Sequence, residues 1–425
     1  MRITTDARQL FRGYFPGARK FSRNAWLFLL STLIDGIAVA GIQLFFNLYI
    51  LAAGYDRQFL GLVNTLPYLV GLLLGLPMGI LADRMGFKRA MLVGMFIYLV
   101  TYTVVLVTPS APVLLLAISV YGVGLSLYYL STTPLMMAIA GKEESTYLIS
   151  LNFGLVTLAG VGGSLLAGQL PGWFASVLRV GADSAPAYRA VLLALLAFAS
   201  ISILPLFLVH EVRLPAAQEP GSNVLAHAAR ALRSPIVRNL ALPNLLIGIG
   251  AAILIPYMNV FFRAKFLISD SWLGVLFGLS ALVTGLGAIA GPVLSERMGG
   301  KVRAVVAVQA LSVVFLLLLG FWPGLLIAAL AFLARDMLMN MTTPLYSAFA
   351  MEQTPEGGRG LMSSVLFLTR QIGLSFGPFV SGFVQDRWGF SPLFVATAVI
   401  YVLAASATWI LFRGVREPRS ASVLG

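Results

Sequence analysis

The chain of 425 residues alternates long apolar runs with short polar segments. Most runs reach about 20 residues, and an α-helix of that length crosses a hydrocarbon core of about 30 Å. The pattern predicts twelve membrane-spanning helices, over residues 24–53, 57–82, 89–108, 112–140, 146–170, 187–209, 236–262, 271–294, 303–321, 324–350, 359–384 and 391–412. We therefore expect an all-α membrane protein whose solvent is the lipid bilayer.

The longest polar segment separates the predicted helices into two groups of six. The predicted parts are a cytoplasmic N-terminal segment 1–23, a first six-helix bundle 24–209, a cytoplasmic linker 210–235, a second bundle 236–413 and a cytoplasmic tail 414–425. Within the linker, residues 223–233 are predicted either as a basic amphipathic helix on the membrane surface or as a disordered connector.

The two groups of helices repeat each other at a spacing of about 210 residues. Three matches carry the repeat: Ala82 to Gly86 with Ser295 to Gly299, Thr132 to Pro134 with Thr342 to Pro344, and Gly163 and Gly168 with Gly377 and Gly382. The repeat predicts two pseudo-symmetric six-helix bundles with a cavity between them.

The distribution of charge predicts the orientation of the chain. Apolar residues make up 59% of the sequence and charged residues 11%, which excludes an ordinary water-soluble domain. Of the 29 Lys and Arg residues, 21 lie in the termini and the even-numbered loops, and six lie in the odd-numbered loops. Because basic loops stay in the cytoplasm, both termini are predicted there, and the net charge of +13 needs no nucleic-acid partner.

The residue types that are missing argue against several kinds of chemistry. The chain has no Cys, and both of its histidines fall in the predicted linker, so we expect no disulfide, no metal site and no cofactor. No phosphate-binding loop occurs, which argues against an ATP-driven pump, and the few ionisable residues are scattered, which argues against an enzyme.

A glycine-rich and charged motif follows the second predicted helix. It runs from Gly79 to Arg89 and contains Asp83, Arg84, Gly86 and Lys88, and a degenerate copy with Glu296 and Arg297 follows the eighth helix. This motif resembles that of the major facilitator superfamily of secondary transporters, and the resemblance extends over the whole chain. The resemblance implies a gating role for these residues on the cytoplasmic side, and the alternative is a basic loop that only sets topology.

Two departures limit the resemblance to drug–proton antiporters of the superfamily. Their helix 4 arginine is replaced here by Ile118, and the Gly-Pro pair of their helix 5 signature is absent. A closer version of that signature, with Gly377 and Pro378, stands in helix 11. Drug efflux is therefore one possibility among several.

Four ionisable residues fall inside predicted helices, where charge is costly and usually functional. They are Asp35, Arg335, Asp336 and Arg370. Asp35 and Asp336 are candidate proton-coupling residues, with a hydrogen-bonded structural carboxyl as the alternative for Asp35. Asp336 and Arg370 could instead form a bridge between helices, whereas an unpaired Arg335 or Arg370 would indicate an anionic substrate.

Polar side chains on the predicted inner helices outline a substrate cavity. The candidates are Gln43, Asn47, Tyr121, Tyr128, Thr132, Asn259, Arg335, Asn340 and Arg370. For each uncharged member, hydrogen bonding between helices is the competing interpretation.

The sequence predicts a secondary active transporter of a small organic solute that works by alternating access, is coupled to protons, and favours export. We expect a monomer in a bacterial inner membrane, with the lipid bilayer and the solute as its partners. Left open are a facilitative uniporter, an uptake symporter for nutrients or organic anions, and a lipid flippase or non-transporting receptor on the same fold.

Overall fold

The computed structural model describes residues 21–140, 144–210, 234–355 and 358–415, and their regular structure is helical, with no strand. The predicted helix at 223–233 lies outside these residues. The long helices are α1 (Arg23–Ala52), α2 (Arg57–Met85), α3 (Phe87–Val107), α4 (Ala111–Ile139), α5 (Glu144–Leu178), α6a (Ala185–Ile201), α7a (Pro235–Ala252), α8 (Asp270–Arg297), α9 (Lys301–Phe321), α10 (Leu325–Glu352), α11 (Arg359–Trp388) and α12 (Ser391–Phe412).

Two of the predicted spans contain a break. The sixth continues from α6a into α6b (Ile203–Leu208), and the seventh passes from α7a through a 3₁₀ turn, Ile255–Tyr257, into α7b (Met258–Phe266). Pro256 lies in that turn, where its missing N–H cannot continue the α-helical ladder.

Eleven spans in the described part of the chain are long and apolar enough to cross a membrane. The helix outside this set is α11, which has 30 residues but is interrupted by Arg370 and several polar side chains. The twelve predicted helices are thus all present, and α11 is the most polar of the long ones.

The helices form two compact units, each of which combines separate stretches of the chain. The first contains residues 21–46 and 73–210 of the described chain, and the second contains residues 47–72 together with 234–415, less the gap at 356–357. The sequence predicts a first bundle that ends at residue 209 and a second that begins at residue 236. The end of α1 and the first half of α2 group with the C-terminal helices, and the predicted boundaries stay a prediction.

Close contacts at glycine hold the helices of the first unit together. A Cβ atom on Gly94 of α3 would lie 2.6 Å from the carbonyl oxygen of Gly124 in α4. A Cβ atom on Gly163 of α5 would lie even closer to the carbonyl oxygen of Ile37 in α1. Small residues at these points let the helix backbones approach, as is common between membrane helices.

The second unit uses the same device. A Cβ on Gly377 of α11 would lie 2.5 Å from the Cβ of Ala252 in α7a, and a Cβ on Gly287 of α8 would lie 2.6 Å from the carbonyl oxygen of Met337 in α10. Gly163 against α1 and Gly377 against α7a are related by the sequence repeat. The internal repeat is therefore also a repeat of helix packing.

Candidate functional site

Asp35 lies near the middle of α1 and is 8% exposed. The Tyr128 hydroxyl of α4 donates a hydrogen bond of 3.2 Å to its Oδ2 atom. Its Oδ1 atom is buried and has no hydrogen-bond partner among the described residues. No described Lys, Arg or His forms an ion pair with this carboxyl, so a charge on it would have no counterion among the described residues.

A cluster of tyrosines lies in the first unit, and one of its members is near the Asp35 carboxyl. The rings of Tyr98 and Tyr102 in α3 and Tyr121 in α4 pack against one another, with centroid distances between 4.9 and 5.9 Å. The Tyr98 hydroxyl is buried without a partner in the described chain and lies within electrostatic range of Asp35. Asp35 and Tyr98 thus each have an unpartnered polar atom near the aromatic cluster of the first unit.

In the second unit, Arg335 and Asp336 of α10 pair with each other. Arg335 Nη1 lies 2.8 Å from Asp336 Oδ1, and Arg335 Nη2 donates a 2.7 Å hydrogen bond to the hydroxyl of Tyr401 in α12. The Ser280 hydroxyl of α8 donates to Asp336 Oδ2. This network joins three helices, and its two charges neutralise each other.

The bridge between Asp336 and Arg370, one of the sequence-based alternatives, is absent from the described residues. Adjacent residues diverge by about 100° around a helix, but the arginine side chain is long enough to turn its guanidinium back onto the neighbouring carboxylate. Arg370 in α11 is exposed and makes no hydrogen bond or ion pair within the described chain. It lies within electrostatic range of the hydroxyls of Tyr68 and Tyr401.

Asn47 and Asn259 are brought together inside the second unit. Asn47 Nδ2 donates to the Pro256 carbonyl at 2.6 Å and to Asn259 Oδ1 at 3.3 Å, and Asn64 Nδ2 donates to Asn47 Oδ1 at 3.1 Å. Asn47 is 5% exposed and Asn259 is 2% exposed. The cluster satisfies the backbone at the break in the seventh span, which favours the structural interpretation of these two asparagines over substrate contact.

The other cavity candidates differ in their exposure and in their hydrogen bonds. Gln43 is exposed in α1, whereas Thr132 donates its hydroxyl to the Tyr128 carbonyl of its own helix at 2.8 Å. Asn340 donates to the Asp336 carbonyl at 2.9 Å and to the Thr284 hydroxyl at 3.3 Å. A role in substrate binding stays a prediction for all of them.

The glycine-rich motif lies at a helix junction with a single residue between its two helices. Helix α2 ends at Met85, α3 begins at Phe87, and Gly86 between them has a φ of 91°, a conformation that glycine adopts without strain. Asp83 and Arg84 are exposed, and Lys88 Nζ donates to the Phe207 carbonyl at 2.8 Å. In the copy, Glu296 and Arg297 are exposed and Gly299 has a φ of 74°.

Sequence analysis did not identify three residues that contribute to these sites: Tyr98, Ser280 and Tyr401. A buried tyrosine in a membrane helix needs a partner for its hydroxyl, and this is the signal from which Tyr401 could have been predicted. The described residues contain no group of three His, Cys, Asp or Glu side chains that could hold a metal ion.

Many membrane-spanning helices with polar and charged side chains buried near their middles are typical of one class of protein, the multi-pass solute transporters. The profile described as Major Facilitator Superfamily matches residues 28–378 and 240–424, and the chain belongs to this family. It is therefore a transporter of small molecules rather than an enzyme.

Comparison with individual proteins agrees with this assignment. The multidrug resistance protein MdtG of Dickeya zeae is 23% identical over 411 residues, which are 92% of this chain and 95% of that protein. MdtG of Klebsiella pneumoniae is 26% identical over 178 residues, and the match spans 40% of this chain and 41% of that protein. The crystal structure of the nucleoside transporter NupG superposes with a TM-score of 0.72 at 14% identity, covering 92% of this chain and 100% of that one.

Proposed function

We propose that the protein exports a small organic solute in exchange for protons, by alternating access, and that Asp35 is the residue that carries the proton. The observation on which this rests is the isolation of Asp35. Its carboxyl is buried near the middle of a membrane helix, with one oxygen unpartnered and no counterion in the described chain.

The physical argument concerns the cost of charge. An ionised carboxylate in the membrane interior is unfavourable without a paired cation, whereas a protonated carboxyl is neutral and can donate a hydrogen bond. Asp35 therefore favours the protonated form while it is sealed from water, and it can release the proton when water reaches it. A transporter needs this difference between two states to couple proton flow to a change in conformation.

Asp336 is a weaker candidate for the same role. It already accepts from Arg335 and from Ser280, so a proton on it would leave the buried guanidinium without a counterion. We assign Asp336 to the structure of the second unit and Asp35 to coupling.

Export is supported by the relatives, which are named multidrug resistance proteins, although the chain is only about a quarter identical to them. Their bacterial sources and the distribution of Lys and Arg support a place in a bacterial inner membrane with both termini in the cytoplasm. In that orientation the exposed residues of the two glycine motifs lie at the cytoplasmic surface, as a gating role requires.

The test compares Asp35→Asn with the unchanged protein in proteoliposomes. The solute is a compound to which expression of the chain gives a pump-deficient bacterium resistance. With a proton gradient imposed, Asp35→Asn should lose solute accumulation but keep solute–solute counterflow, since asparagine binds no proton. In purified protein, the infrared band of a protonated carboxyl should be lost in the variant.

Asp386→Asn is the matched control, because Asp386 is exposed near the end of α11 and has no partner in the described chain. It should accumulate the solute normally. Gradient-driven accumulation by Asp35→Asn with an unchanged dependence on pH would contradict the proposed role of Asp35. Accumulation by the unchanged protein that does not depend on the proton gradient would contradict proton coupling altogether.

A further inference from the structure

The two arginines inside the membrane helices of the second unit have different environments. Arg335 is 3% exposed, and Asp336 and Tyr401 occupy both terminal nitrogens of its guanidinium. Arg370 is exposed and has no hydrogen-bond or ion-pair partner within the described residues. Of the two, only Arg370 has its charge available for a ligand.

The depth of Arg370 limits what its side chain can face. It is the twelfth of the 30 residues of α11, so it lies about 17 Å along the helix from Arg359. A helix of that length extends beyond a hydrocarbon core of about 30 Å at both ends, which places Arg370 well inside the core. A guanidinium facing lipid at this depth is strongly unfavourable.

The surface of α11 shows which side faces lipid. Ile372, Phe376 and Val380 are exposed, apolar and close together on one side of the helix, and Phe376 is 55% exposed. Ile372 and Phe376 lie about 160° and about 120° around the helix from Arg370. This apolar side has the character of a lipid-facing surface, and Arg370 lies on another side of the helix.

The remaining sides of α11 complete the argument. Gly373 and Gly377 pack against α7a, and their contacts with Gly248 and Ala252 leave no space for a side chain. Arg370 shares its own side with the exposed residues Ser363 and Phe367, and Tyr68 of α2 lies within electrostatic range of it. The backbone of Arg370 also contacts Gly248 of α7a, but its side chain stays exposed, and the cost of a charge in lipid favours a side chain that faces water and solute.

We propose that Arg370 binds the anionic group of the transported solute, and that the substrates are organic anions which carry a carboxylate or a phosphate-type group beside an apolar portion. A guanidinium presents two parallel N–H donors to such a group. The exposed ring of Phe367 offers an apolar contact beside the charge. The inference rests on the proposed transport of an organic solute, but it does not depend on proton coupling.

The balance of charge supports the sign of the ligand. Arg335 and Asp336 cancel each other, so the interior helix surfaces of the second unit that the structure describes retain the one positive charge of Arg370. A bound anion neutralises that charge, whereas a bound cation would lie beside it uncompensated.

Access to water is tested first, and the natural absence of cysteine makes the experiment direct. Single variants Arg370→Cys and Phe376→Cys are treated in membranes with water-soluble methanethiosulfonate reagents. We expect Arg370→Cys to react and Phe376→Cys, exposed on the apolar side of the same helix, to remain unlabelled. Reaction at Phe376→Cys alone would overturn the proposal.

Binding is tested with four compounds that share one ring system: 1-naphthoate, 1-naphthyl phosphate, 1-naphthamide and 1-naphthylmethylammonium. Thermal stabilisation of the full-length purified protein gives the apparent Kd of each compound. We expect at least one of the two anions to bind, and to bind at least about 10-fold more weakly in Arg370→Gln. Arg370→Lys should fall between, because lysine keeps the charge but loses the paired donors.

Arg413→Gln is the control, since it removes one exposed positive charge at the end of α12, and it should bind as the unchanged protein does. Anion binding that survives Arg370→Gln, binding of the ammonium compound alone, or binding of neither anion would overturn the assignment. Loss of proton-driven transport in Asp35→Asn with anion binding intact separates this result from that of the coupling experiment.

Discussion

Arg335 and Asp336 are adjacent in sequence and neutralise each other inside a membrane helix. The pair does not stand alone, because Tyr401 and Ser280 hold its two ends from neighbouring helices. Such a network keeps three helices in one relative arrangement only while both charges are present. Removing one charge leaves the other buried without compensation, which costs more than removing both.

We predict that Asp336→Asn destabilises the folded protein by about 3–5 kcal/mol, because Arg335 is then a buried cation without a counterion. The double variant Arg335→Met with Asp336→Leu should recover most of this loss. The midpoint of thermal unfolding of purified protein measures both. Equal destabilisation of the single and double variants would show that shape rather than charge is what the pair supplies.

Sequence analysis located the buried charges but not all of their partners. A carboxyl or guanidinium in the middle of an apolar run must be buried or lie in a cavity, so Asp35, Arg335 and Asp336 were predictable one by one. Tyr98, Ser280 and Tyr401 were not, because their contacts depend on how helices pack. The pairing of Arg335 with Asp336 also depends on side-chain conformation, which periodicity does not report.

Among the elements, glycine decides which helices approach closely. Gly377 brings α11 against α7a, and there a Cβ atom would lie 2.5 Å from that of Ala252. Gly154 of α5 has open space beside it instead, because no atom lies within 4 Å of an added Cβ. The two glycines therefore differ in what a single methyl group would do.

Gly377→Ala should destabilise the protein by about 1–3 kcal/mol, since the backbones of α7a and α11 must separate to make room. Gly154→Ala should be neutral or slightly stabilising, because alanine is the better helix former. Unfolding midpoints of the two purified variants give the comparison. Similar stabilities for both would mean that the contact with Ala252 relaxes easily.

The helices were predictable from apolar runs, and their irregularities were not. The seventh span was predicted as one helix over 236–262, but it unwinds near Pro256 and extends to Phe266. At the break, the Pro256 carbonyl accepts a hydrogen bond from Asn47, which lies about 200 positions earlier in the chain. A local pattern contains no information about such distant partners.

For the whole molecule, the orientation in the membrane is a prediction that the absence of cysteine makes easy to test. Asp183 is exposed before α6a, in an odd-numbered loop, and Arg413 is exposed after α12. In intact cells an impermeant maleimide should label Asp183→Cys, whereas Arg413→Cys should need permeabilised cells. The reverse pattern would place both termini outside the cytoplasm.

The membership of residues 47–72 in the second compact unit has a consequence for biosynthesis. The ribosome completes this segment about 160 residues before Pro235, where the helices that contact it begin. Until the seventh span has been inserted, the Nδ2 group of Asn47 lacks both of its acceptors, Pro256 and Asn259, in the bilayer. The nascent chain must therefore tolerate or shield a polar face at the ends of its first two helices, so the final fold of the first two helices is completed only after the second half has been synthesised.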